Sequence, residues 1–219
     1  MQLCSRCILL VHDSHNYSHV KTFLYQHGME FFNYQNKITA DKGRILVSEP
    51  YLADPNFERT IILLCEHNEE GSFGFVMNKP SEARLPDVMP DLSKMDAPVF
   101  IGGPVQQDTL HYLHRIEQLE DAVPVMEGVY WGGSFDQLMS LIDTHQVTPN
   151  DIKFFLGYSG WSAGQLDEEL KLNSWIVSDK VTQDFLFNTS AESMWQQALK
   201  AMGGRFSIYS NYPVDPRMN

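Results

Sequence analysis

No histidine follows His145 in this chain of 219 residues. An α/β-hydrolase needs its histidine downstream of the serine nucleophile, so that class of enzyme is excluded for any serine in the C-terminal third. Cysteine is scarce: Cys4, Cys7 and Cys65 are the only three, too few for a disulfide framework. Basic residues are few and scattered, 16 against 28 acidic ones, for a net charge of −12. A general nucleic-acid surface needs clustered Lys and Arg, so direct DNA binding is not expected. No apolar run approaches the length of a membrane span. The early run from Cys7 to Val11 is too short for the apolar core of a signal peptide. No complete dinucleotide or Walker phosphate loop occurs. A cytoplasmic protein without membrane partner or cofactor is the expectation from these absences.

What is there begins with an unusual leader. Cys4-Ser-Arg-Cys7 precedes His12, His15 and His19, residue types that bind zinc. The spacing fits no standard finger and no second Cys pair follows, so no metal is expected. Residues 1–28 read as a flexible leader, upstream of a native start at Met29, and residues 29–219 as a single domain. From Lys42 the pattern becomes regular. Strands are expected over 44–49, 60–66 and 73–78, with Glu70-Gly71 as a hairpin turn between the last two. Residues 81–98 read as a surface excursion with a short helix. Further strands are expected at 99–101, 109–114 and 129–131. Ser134 with Gln137 gives a capping-box spacing, and Leu138, Leu141 and Ile142 give a helical stripe. The helix then leads to a strand at 152–156, which implies a parallel crossover. Thr189 with Glu192 repeats the capping pattern before a helix ending at Gly203. Phe206 to Tyr209 reads as an edge strand.

The most informative segment is 157–175. The apolar run Ile152 to Leu156 meets Gly157-Tyr158-Ser159-Gly160, then Trp161 and Ser162. Ser162 with Gln165 has capping-box spacing, and Trp161 with Leu166 has staple spacing. A strand, a tight glycine turn and a capped helix are the expectation. Such an elbow presents backbone N–H groups to an anion. It partly resembles the nucleophile motif G-x-S-x-G, which fails at Trp161. A Ser159 nucleophile would need His67, His111 or His114 brought to it by the fold. Cys65 is the other candidate nucleophile, set in an apolar strand where cysteine serves as a small hydrophobe. The candidate binding surface comprises Asn78, Gly102, Gly103, Pro104, Gly157, Tyr158, Ser159, Gly160, Gln165 and Glu168. Asn78 also has a structural reading, bonding to local backbone at a strand end. His111 and His114 alternate across a strand and so face opposite ways.

Four ordered segments carry a resemblance: Phe57-Glu-Arg-Thr-Ile-Ile-Leu-Leu64, Gly71-Ser-Phe-Gly-Phe-Val-Met-Asn78-Lys-Pro80, Gly102-Gly-Pro-Val105, and Gly157-Tyr-Ser-Gly-Trp161 with Gly164-Gln-Leu-Asp-Glu-Glu-Leu170 and Trp175. In this order they resemble the AlgH family of bacterial proteins, also called YqgE-like, in its Bacteroidetes branch. The resemblance spans residues 42–210. It implies an α+β fold, with a mixed, bifurcated β-sheet curled into a partial barrel and flanking helices. It implies no established activity. Some members carry the label of transcriptional regulator, which the acidic charge here does not support as DNA binding. A binding or interaction protein is therefore the leading expectation, with an unknown small molecule or protein as its partner. A hydrolase or transferase using Ser159 or Cys65 is the alternative, and a transcription-related regulator a weaker one.

Overall fold

The computed structural model describes residues 34–52 and 54–213. The Cys and His leader therefore lies outside the described residues. Among the described residues ten strands form one sheet: β1 (Ile45–Ser48), β2 (Ile61–Asn68), β3 (Gly71–Val76), β4 (Pro80–Arg84), β5 (Pro98–Ile101), β6 (Val105–His114), β7 (Val123–Met126), β8 (Val129–Trp131), β9 (Ile152–Ser162) and β10 (Trp175–Ser178). Among the described residues six α-helices accompany them: α1 (Leu85–Val88), α2 (Phe135–Asp143), α3 (Gln165–Lys171), α4 (Gln183–Asn188), α5 (Ala191–Met202) and α6 (Arg205–Tyr209). The main strand order is β10-β1-β2-β3-β9-β6-β8-β7.

The sheet splits along β9. On one edge β9 pairs antiparallel with β6. On the other it pairs parallel with β5 over Phe154–Leu156 and antiparallel with β3 over Ser159–Ser162. The expected mixed, bifurcated sheet with flanking helices is thus observed. The curl leaves the sheet open, yet it brings its ends close. Val125 of β7 and Val129 of β8 share one apolar cluster with Ile45 of β1 and Leu63 of β2. The concave side of that cluster is covered by Leu186, Met194, Trp195 and Leu199 of α4 and α5. Two further clusters lie on the convex faces, one under α2 around Phe154, the other under α3 around Trp161 and Trp175. Three apolar layers explain why β2 and β9 read as near-continuous apolar runs: both of their faces are covered.

Four local expectations are corrected. The strand at 152–156 does not end at Gly157. It runs on to Ser162 through the glycines, because β9 has ladder partners along that stretch. The helix starts only at Gln165, after Gly164 at φ 74. Ser162 stays outside it, yet half of the capping box survives, since Ser162 N donates to Gln165 Oε1 at 3.1 Å. Residues 206–209 belong to a helix, α6, reached through Gly203 and Gly204 at φ 74 and 55. A short apolar run does not by itself separate strand from helix. Thr189 is the C-cap of α4, and Ser190, not Thr189, is the N-cap of α5.

The expected helix after Ser134 and its parallel crossover are observed. Ser134 Oγ accepts from Gln137 N, and Leu138 and Ile142 of α2 are buried. Since β6 is antiparallel to both β8 and β9, those two run parallel, joined through α2. Residues 81–98 are less of a surface excursion than expected. They pair β4 with β5 and bury Leu85, Leu92 and Met95 beneath α2.

Candidate functional site

The two glycine segments of the resemblance meet in space. After β5 the chain passes Gly102 and Gly103 directly against β9. A Cβ placed on Gly103, at φ 155, would lie 2.3 Å from the backbone C and O of Tyr158. One on Gly157, at φ 67, would lie 2.5 Å from Val105 O. Only glycine permits backbones to approach so closely with those torsions. Gly102 N donates to Leu156 O at 2.9 Å, and Val76 N donates to Gly102 O at 2.9 Å. Pro104 follows and leads into β6. The crossing joins β3, β5, β6 and β9 where the sheet divides.

This geometry decides the fate of Ser159. Its side chain is fully buried, and Oγ donates to Gly102 O at 3.1 Å. The hydroxyl is a clasp across the crossing. The histidines are committed elsewhere. His67 Nδ1 meets Ser72 Oγ at 2.7 Å. His114 is fully buried, with Nε2 donating to Gly132 O at 2.8 Å and Nδ1 accepting from Ile116 N at 3.2 Å. Those two bonds fix the neutral tautomer, and burial holds its pKa below the ordinary imidazole value. His111, on the other face of β6, packs against Phe75, Trp131 and Tyr158. Burial lowers its pKa as well. Cys65 is a buried free thiol, and burial pushes its pKa far above the usual range.

One small cavity opens beside the crossing. It holds about 260 Å³ and is lined by Asn56, Val76, Asn78, Lys79, Pro80, Ile101 and Gly103. Asn78 and Gly103 of the expected surface thus converge, from segments far apart in sequence. Asn78 keeps its amide occupied: Oδ1 accepts from Ile61 N and Nδ2 donates to Arg59 O, both at 2.9 Å. It fixes the wall. The cation at the cavity is Lys79, whose ammonium donates to Pro55 O. Burial lowers its pKa, and the nearby charges of Asp54 and Glu58 oppose that shift.

Gln165 and Glu168 do not line this cavity. Glu168 is exposed and pairs with Lys171 at 2.6 Å. Gln165 donates through Nε2 to Glu169 Oε1 at 3.1 Å. Their helix borders a second depression of about 590 Å³, formed by Asp167, Leu170 and Lys171 with His67 and residues 36–40. The expected single surface is therefore divided between two places.

Sequence reasoning missed Glu169. Its Oε2 accepts from two indoles, Trp161 Nε1 at 3.0 Å and Trp175 Nε1 at 2.7 Å. A signal was present: Glu169 lies three residues after Leu166, on the buried stripe, whereas Glu168 does not. Among the described residues no three His, Cys, Asp or Glu side chains gather to hold a metal ion. Among them, too, no helix is long and apolar enough to cross a membrane.

Comparison with known proteins matches this frame. A family model described as AlgH-like covers residues 45–207. A UPF0301 protein of Cytophaga hutchinsonii is 46% identical over 180 residues, 81% of this chain and 98% of the relative. A UPF0301 protein of Bacteroides thetaiotaomicron is 38% identical over 185 residues, 84% of this chain and 94% of the relative. The solution structure of the AlgH protein from Pseudomonas aeruginosa superposes with a TM-score of 0.64 at 30% identity, covering 83% of this chain and 98% of that one. With fold and sequence in agreement over most of its length, the chain belongs to the AlgH-like family, as a Bacteroidetes-type member.

Proposed function

We propose that the protein works by binding, without turnover, and that its working surface is the small cavity beside the glycine crossing. The observation that carries this reading is the convergence of Asn78, Lys79 and Gly103 on one cavity held by a rigid backbone junction. A site built on such elements is pre-organised, which lowers the entropy lost on binding. Asn56 and the Lys79 ammonium are the polar groups at its edge. They suit a small molecule, or the end of a protein segment, that presents a carboxylate or amide oxygen. The buried hydroxyl of Ser159 and the buried thiol of Cys65 support binding over catalysis. A net charge of −12 supports a partner other than nucleic acid, in the cytoplasm.

The test is an NMR screen of a metabolite library against the ¹⁵N-labelled protein. Shifts clustered on Asn56, Lys79 and Gly103, and lost in Lys79→Met, are expected. Hits that map elsewhere, or survive Lys79→Met unchanged, contradict the assignment.

A further inference from the structure

The cavity beside the glycine crossing draws its polar and apolar walls from different elements. The polar wall is one turn. Asp54 O accepts from Phe57 N at 2.9 Å and from Glu58 N at 2.7 Å, and Asp54 Oδ1 accepts from Asn56 N at 2.8 Å. Those bonds close residues 54–58 and set Asn56 at the cavity. Lys79 reaches the same turn from beyond the end of β3, where its ammonium donates to Pro55 O. An ammonium has three donors, so two remain for another partner. Val76, Pro80 and Ile101, from β3, β4 and β5, supply the apolar walls.

The charges at the turn are mixed. Asp54 and Glu58 lie close enough to Lys79 to raise its pKa against the fall that burial causes. Neither closes on it: the ion pairs among the described residues are Arg84–Asp96, Lys94–Asp143, Arg115–Asp151 and Lys171–Glu168. Arg59, the next residue, is engaged elsewhere, with its guanidinium 4.8 Å from the centroid of the Trp195 ring and donating to Tyr212 O. The turn therefore offers one cation beside two carboxylates. A simple anion would gain Lys79 and be repelled by both acids, and a simple cation would meet the reverse. A ligand that carries both charges complements both sets. The volume of about 260 Å³ lies below the roughly 300–1,000 Å³ of sites for drug-sized ligands, so the ligand is small.

We infer that this cavity takes a free α-amino acid with an aliphatic side chain. Its carboxylate meets Lys79 and Asn56, its ammonium meets Asp54 and Glu58, and its side chain lies against Val76, Pro80 and Ile101. The inference rests on the cavity being the working surface, as proposed above, and adds the chemical class of what fills it.

The probes are L-leucine, isocaproate, which lacks the amino group, and isopentylamine, which lacks the carboxylate. Each is titrated by calorimetry into the folded full chain. One saturable leucine site is expected, with NMR shifts at Asn56, Lys79 and Gly103. Both one-charge counterparts should bind at least ~10-fold more weakly, as expected for loss of one charge-assisted contact. Lys79→Met should weaken leucine and isocaproate alike. Asp54→Asn combined with Glu58→Gln should remove the advantage of leucine over isocaproate. Asparagine keeps the oxygen that accepts from Asn56 N, and Glu58 is exposed, so Glu58→Gln alone serves if the pair fails to fold. Isocaproate binding as tightly as leucine at these residues, or leucine binding unchanged in the carboxylate-lacking variant, would overturn the inference and leave the binding surface standing. Absence of binding by all three probes would also overturn it, and the metabolite screen then decides whether the surface itself fails.

Discussion

Glu169 shows how much one side chain decides. It ties α3 to β9 and β10 by accepting two indole N–H bonds, from Trp161 and Trp175, whose rings are 7% and 2% exposed. Glu169→Ala strands both donors in an apolar layer, at a cost of about 1–3 kcal/mol for each buried unsatisfied group. Chemical denaturation should show at least ~2 kcal/mol lost. Glu168→Ala, one residue away and exposed, should change stability by less than ~0.5 kcal/mol. His114 makes a pH-dependent counterpart. Its Nδ1 accepts an amide proton and its pKa is lowered in the fold. An unfolded chain takes up that proton near pH 6.5. The folded state then gains its full advantage above that value and loses it as pH falls below. Thermal melts from pH 7.5 to 5 should show His114→Asn with a flatter pH dependence than the native protein. Equal slopes would show that His114 does not titrate between the two states.

At the scale of elements, the glycine crossing sets the architecture. Gly103 faces the Tyr158 backbone with no space for a methyl group. Gly103→Ala must push β5 away from β9, and we expect loss of more than ~3 kcal/mol or failure to fold, from steric conflict added to an unfavourable torsion. Soluble yield and melting temperature report it. Gly164→Ala, at φ 74 but with open space around its Cβ, should cost only about 1 kcal/mol. This contrast also marks the limit of sequence reading. A run of glycines after an apolar strand has two physical solutions, a turn or a close backbone approach. Which one occurs depends on Val105 and Gly103, about 50 residues upstream. The elbow expectation failed there for that reason. Trp161 and Leu166 still share the α3 layer, but with Gly164 as the N-cap they do not hold the N′ and N4 positions of a staple.

For the whole molecule, the sheet class and the family were legible, since strand periodicity and four ordered motifs span most of the domain. The candidate surface was only partly legible. Asn78 and Gly103 meet at one cavity, while Gln165 and Glu168 lie on a helix elsewhere. The central claim is that the glycine-rich signature is a buried junction and not a reaction centre. Peptide mapping after exposing the native protein to a fluorophosphonate and then to iodoacetamide tests it most directly. We predict no adduct on Ser159 in any state, and on Cys65 only after denaturation. Rapid native-state labelling of Ser159, abolished by unfolding, would contradict the account.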